Sequence, residues 1–372
     1  MNYELRIKNY FVPLIQESKV LSFRNEKKNK FSFCISLTYS YLCTMFRNNT
    51  YRMPAEWERQ TAVQLTWPHR DTDWAPMLDE VLQTYREMAR EISRRERLIV
   101  VAPEGGAPGM LHVVCPTNDT WARDHGFITL LPQRDDLPQR LLDFRFNGWG
   151  DKFQADLDNA INRRLYEVGA VKGEYVDHLD FVLEGGSIES DGQGTIFTTE
   201  CCLMAPHRNQ PLSRDEIEER LKDYLCADRI VWLQHGSLIG DDTDGHIDTL
   251  LRICPNDTIL YTGADSDHPD LLLMEQELQA LRTLDGRPYR LLRLPLPRPI
   301  HDEDGQRLPA TYANFLIING AVLVPTYNQP DLDQEALRIV GEAFPDREII
   351  GIDCRSLIRQ HGSLHCCTMQ YY

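Results

Sequence analysis

The chain is short of basic charge, and the shortage sharpens once its first 52 residues are set aside. Across 372 residues, 40 Lys and Arg face 56 Asp and Glu. Residues 1–52 hold nine of the basic groups against three Glu, so the other 320 carry 31 basic and 53 acidic side chains, a formal net of −22. That balance opposes binding to nucleic acid or anionic lipid and favours cationic ligands, although it also serves plain solubility. The ten cysteines show no Cys-x-x-Cys spacing and no small disulfide framework, which fits a reducing compartment, the cytoplasm. No Gly-x-Gly-x-x-Gly turn follows the first strand and no phosphate loop is present, so nucleotide-dependent chemistry lacks its usual cradle. The uncharged run Phe31 to Phe46 has sixteen residues, short of the roughly 20 that span a bilayer. Its basic cluster, Lys27 to Lys30, lies far from Met1 and no small-residue cleavage site follows. Residues 1–52 therefore read as an extension, disordered or the product of a misassigned start, and 53–372 as the working domain.

From Met53 onward, strand-like and helix-like segments alternate. Ala62–Trp67 and Leu98–Ala102 read as strands around a helix over Pro76–Arg97, whose Leu78, Val81, Leu82, Tyr85, Met88 and Ile92 recur at helical spacing. Strands at Leu141–Phe146, Ile230–Leu233, Tyr289–Leu294 and Glu348–Ile352 alternate with helices near Phe153–Val168, Arg214–Leu225, Leu271–Leu284 and Gln334–Phe344. Phe315–Ile318 and Ala321–Val324 add further strands. The class is α/β.

Four stretches carry residues of defined chemistry. Asn118–Gly126 packs Asp119, Trp121, Arg123, Asp124 and His125 between apolar flanks, and reads either as an Asp–Arg ion-paired turn or as a carboxylate and an apolar wall facing a pocket. Glu184 ends an apolar strand directly before Gly185-Gly186, a place where a buried charge needs a cation; a solvent-facing strand end is the plain alternative. His246 and Asp248 would share one face of an extended segment, with Ile247 turned to the core. They could serve a metal, but no third and fourth ligand stand at recognisable spacing. The last stretch, Gly362-Ser-Leu-His-Cys-Cys-Thr-Met-Gln370, is too polar and too little charged for a frayed tail. Either Cys366 or Cys367 could be an inert buried thiol, the common fate of free cysteine.

Together with Met53-Pro-Ala-Glu-Trp57, these blocks resemble, in order, the agmatine deiminase and bacterial-type peptidylarginine deiminase family of the guanidine-modifying superfamily. The resemblance spans Met53 to Tyr372. It implies a five-bladed α/β propeller of ββαβ modules, the pentein fold, around a central pocket. It also implies that Asp124 and Asp248 grip a guanidinium, that Cys366 attacks its carbon, and that His246 serves as acid and then base with Glu184 orienting it. Trp121 and Asp242 would then contact the rest of the substrate. No metal or organic cofactor is called for. The implied partner is a small cationic guanidine, agmatine first, with no nucleic acid and no membrane; a homo-oligomer is compatible with this reading. Arginine in peptides, amidino transfer and a non-catalytic guanidine-binding protein are the alternatives. Ser363, His361 and Asp242 depart from the residues usual in the family.

Overall fold

The computed structural model describes residues 50–372, and its strands fall into five sheets. Four sheets come from consecutive chain by one rule: a hairpin lays two strands antiparallel, a helix follows, and a third strand returns parallel to the second. Ile128–Pro132, Arg140–Arg145 and Glu174–Val182 do this around helix Ile161–Glu167. Ile188–Ser190, Thr195–Thr199 and Arg229–Leu233 repeat it around Arg214–Tyr224. Leu251–Cys254, Thr258–Thr262 and Arg290–Leu294 follow around Pro269–Ala280. Leu316–Ile318, Ala321–Thr326 and Glu348–Asp353 complete the run around Pro330–Ala343. The remaining sheet obeys the rule with the two ends of the domain. Ala62–Thr66 runs parallel to Arg97–Ala102 across helix Leu78–Ser93, and its antiparallel partner is the C-terminal strand Thr368–Tyr371.

Local chemistry explains these elements. Thr195–Thr199 and Thr258–Thr262 are buried at every position, as central strands covered on both faces must be. Helix Leu78–Ser93 buries Val81, Tyr85, Met88 and Ile92 completely, each side chain contributing roughly 1.5–3 kcal/mol. Helix Arg214–Tyr224 opens on a capping box between Ser213 and Glu216. Helices Pro269–Ala280 and Pro330–Ala343 start on the proline that tolerates the missing N–H there.

Two local expectations need correction. The helix foreseen near Phe153–Val168 is only Ile161–Glu167, entered through a 3₁₀ turn at Asp158–Ala160; upstream, Gly148 to Asp151 take four successive left-handed conformations, with φ of 66, 57, 86 and 62°. The segment carrying His246 and Asp248 is not extended; Ile247–Thr249 is a 3₁₀ turn, although Ile247 still enters the core. Strand Tyr51–Arg52 pairs with Leu131 and Pro132, so the folded body includes residues just before Met53. The uncharged run and basic cluster lie outside the described residues. Among the described residues, no helix is long and apolar enough to cross a membrane.

Candidate active site

The side chains singled out in the sequence leave their sheets at loops and short turns, and converge. Asp124 sits in the short helix Ala122–His125 and is 3% exposed. Its Oδ1 accepts from the Gly186 amide at 3.0 Å and lies 3.7 Å from His246 Nδ1, while Oδ2 accepts from Trp149 Nε1 at 3.0 Å. A Cβ on Gly186 would stand 2.6 Å from His246 Nδ1 and 2.9 Å from Asp124 Oδ1, so the site leaves room for glycine alone after Glu184-Gly185. Arg123 turns away from Asp124 to Glu56 at 3.0 Å, which replaces the Asp–Arg turn with a long-range pair.

Glu184 is fully buried and does not face solvent. The cation it requires is Arg208, whose Nε lies 3.0 and 3.2 Å from the two carboxylate oxygens and whose Nη1 reaches Asp244 at 2.7 Å. Asp248 Oδ2 accepts from His365 Nδ1 at 2.6 Å and lies 3.8 Å from Cys366 Sγ. Its Oδ1 is buried without a partner, as are both ring nitrogens of His246. Asn314 donates to Cys366 Sγ at 3.2 Å, and its Oδ1 accepts from the amides of His365 and Cys366 at 3.0 and 3.3 Å.

Cys366 and Asp124 face a cleft walled by Trp121, Trp149 and Phe153 and edged by Asp73, Asp119 and Asp242. Neither lysine nor arginine lines it. Trp121 packs at 5.7 Å from Trp74 and 6.4 Å from Trp149, and a Cβ on Gly362 would overlap its ring at 2.1 Å. Close approach of the C-terminal segment to this wall is what Gly362 permits. Cys367 is fully buried in the apolar core, with its thiol pushed up to about 12 by burial.

Electrostatics sort the groups. Burial, then Asp248 and Asp124, push the Cys366 thiol well above its ordinary range. Burial pulls His246 down, but Asp124, Cys202 and Glu184 outweigh it and hold the imidazole well above its ordinary value. Asp124 is raised to about 6 by burial, with Asp248 and Glu184 adding and His246 opposing. Asp248 is lowered, because the hydrogen bond and charge of His365 outweigh burial. Burial raises Asp242 against the pull of His361.

Two groups among the described residues could supply metal ligands, Glu184–Cys202–His246 and Glu56–Glu189–His365. In both, a guanidinium already balances the carboxylates: Arg208 on Glu184, and Arg252 on Glu56 and Glu189. Sequence reasoning missed Arg208, Asn314, Trp149 and His365. Asn314 had a signal, a lone amide inside the apolar stretch Tyr312–Ile318, and Trp149 stands between two glycines.

The fold is the pentein fold. A family model of Porphyromonas-type peptidyl-arginine deiminase matches residues 52–371, and the chain belongs to that family. A Porphyromonas gingivalis structure provisionally named an arginine deiminase is 52% identical, with TM-score 0.80 over 86% of this chain and 98% of that one. The agmatine deiminase of C. jejuni, solved with substrate bound, is 36% identical, with TM-score 0.79 over 87% and 96%. Agmatine deiminase of Pseudomonas aeruginosa is 34% identical over 87% of this chain and 96% of its own.

Proposed function

We propose that the chain is an agmatine deiminase, converting agmatine and water to N-carbamoylputrescine and ammonia. The observation that carries the reading is the cleft: Cys366 and the Asp124 carboxylate among its lining residues, aromatic walls, acids at its edge, and neither lysine nor arginine along it. A guanidinium between Asp124 and Asp248 can donate to both. The acids at the mouth suit a terminal ammonium, whereas the α-carboxylate of arginine would meet those acids with no lysine or arginine among the lining residues to offset them. The arginine-related names of relatives as close as 52% identity favour free or peptidyl arginine as the second reading.

In the proposed mechanism the cationic guest offsets the acids that raise the Cys366 thiol, and thiolate attacks the guanidine carbon. His246, held protonated by its acidic neighbours, gives a proton to the departing nitrogen, so the C–N bond breaks and ammonia leaves an amidino-thioether on Cys366. His246 then takes a proton from water, which adds to the same carbon; the C–S bond breaks and the urea-type product departs. Glu184, anchored by Arg208, keeps negative charge beside His246 through both halves. Trp121 and Asp242 contact the aliphatic chain and its amine. None of the eight cysteines among the described residues forms a disulfide, consistent with a reducing cytoplasm.

The test is ammonia release from agmatine, arginine and arginyl peptides. Agmatine is expected to lead in kcat/KM by about 100-fold, the scale on which a pocket rejects a substrate that differs by one small group. Faster turnover of arginine or a peptide overturns the assignment. Activity is expected to survive exhaustive chelation and to vanish on thiol alkylation, with substrate protecting.

A further inference from the structure

The Met53–Trp57 block takes no part in the chemistry above, yet its Glu56 reaches the histidine beside the nucleophile. His365 is fully buried, with each ring nitrogen against a carboxylate. Nδ1 lies 2.6 Å from Asp248 Oδ2, and Nε2 lies 2.9 and 3.1 Å from the oxygens of Glu56. Nε2 also lies 3.0 Å from Nη2 of Arg252, so the same guanidinium that binds Glu56 closes on the ring. Glu56 cannot swing away, because Arg252, Arg123 at 3.0 Å and Gln370 at 3.1 Å hold it as well.

We propose that His365 is a positioning residue for the guanidinium clamp: seated by Glu56, it ties Asp248 Oδ2 and so presents Oδ1 alone to the substrate. Asp248 Oδ1 is the oxygen left buried without a partner, the state expected of an acceptor reserved for a guest. A carboxylate with neither oxygen tied could rotate and lose its alignment with the thiol 3.8 Å away. The ring is also one peptide from that thiol, and Asn314 Oδ1 pins both residues' amides at 3.0 and 3.3 Å. Clamp and nucleophile are thus registered by one buried path from Glu56 through His365 to Asp248. This inference rests on the guanidine-hydrolysing reading of the site.

Two amide substitutions separate the bonds. The Asn amide reaches the place of Nδ1 and keeps the link to Asp248, whereas the Gln amide reaches the place of Nε2 and keeps only the link to Glu56. His365→Asn is expected to stay within about tenfold of wild-type kcat/KM for agmatine, while His365→Gln falls by about 100-fold through kcat, the scale of an ångström's misplacement. Equal activity in the two variants, or losses that track Tm whichever bond is kept, overturns the proposal. Should either variant fail to fold, ¹⁵N-histidine-labelled Cys366→Ala enzyme gives an independent reading. Its His365 Nδ1–H resonance is expected far downfield and is expected to shift when agmatine engages the other oxygen of Asp248. A resonance that is absent or unmoved also overturns the proposal. Wild-type enzyme inert toward agmatine would instead sink the hydrolase reading, so the two failures are distinguishable.

Discussion

The domain contains two acid-rich clusters built for the same kind of guest, and only one of them is filled from within. Around Arg252, Glu56 and Glu189 grip a guanidinium that is fully buried and stacked 4.7 Å over the Phe315 ring. Burial would raise Glu56, but Arg252, His365 and Arg123 hold it well below the usual carboxylate range. Around Cys366, Asp124 and Asp248 stand without such a guanidinium, and Asp124 is raised to about 6. One cluster uses its opposed charges to hold the fold; the other keeps an electrostatic imbalance that the proposed cationic substrate would relieve. His365 joins the two.

The sharpest way to break this comparison is to remove the sulfur and leave the clamp. Cys366→Ala is expected to bind agmatine in calorimetry while losing all turnover, and quenched wild-type enzyme should carry an adduct on Cys366 by mass spectrometry. An adduct on Cys367, with Cys366→Ala active, contradicts the assignment. Next in size, Arg252→Met strips the filled cluster of its cation and should lower stability by about 3–5 kcal/mol in denaturant unfolding. An unchanged midpoint would mean that the two clusters are not alike.

A smaller effect follows from protonation. Below about pH 6 Asp124 gains a proton and its half of the clamp loses its charge, so kcat/KM should fall about tenfold per pH unit on the acid side. A flat profile down to pH 5 would contradict this. Because the folded-state value is raised, ionising Asp124 costs the empty enzyme stability as pH rises through about 6. Agmatine should therefore lift the Tm of Cys366→Ala more at pH 8 than at pH 5. The smallest expected effect is none at all: a chain beginning at Thr50, which retains strand Tyr51–Arg52, should match the full chain in Tm and turnover. Loss of soluble protein would show that the preceding residues belong to the domain.

The residues with chemistry were legible because each sits in a short polar block interrupting an apolar run, as Glu184 and His246 do. Their partners were not. Arg208 lies 24 residues from Glu184, His365 117 from Asp248, and Glu56 309 from His365, separations that only the closed fold spans. Alternating strand and helix patterns made the class legible, but the hairpin inside each unit was legible only in part. Thr195–Thr199 and Thr258–Thr262 are buried throughout and carry no period of two, and Ile188–Ser190 is too short to show one. The 3₁₀ turn at Ile247–Thr249 escaped notice for a related reason. His246-Ile-Asp248 alternates polar and apolar side chains as a strand would, and nothing local marks the turn.

The pairing of Thr368–Tyr371 with Ala62–Thr66 gives biosynthesis a part in controlling the enzyme. The strand that completes the sheet begun at Ala62–Thr66 follows all four other sheets along the chain, and Cys366 stands two residues before it. Four sheets can assemble from nearly consecutive chain as it emerges, while this one must wait, its edge unpaired, until residues 368–371 are made. A nascent chain that has not reached residue 366 lacks both the closing strand and the Cys366 thiol. The candidate nucleophile thus joins the chain just ahead of the strand that closes the fold around it.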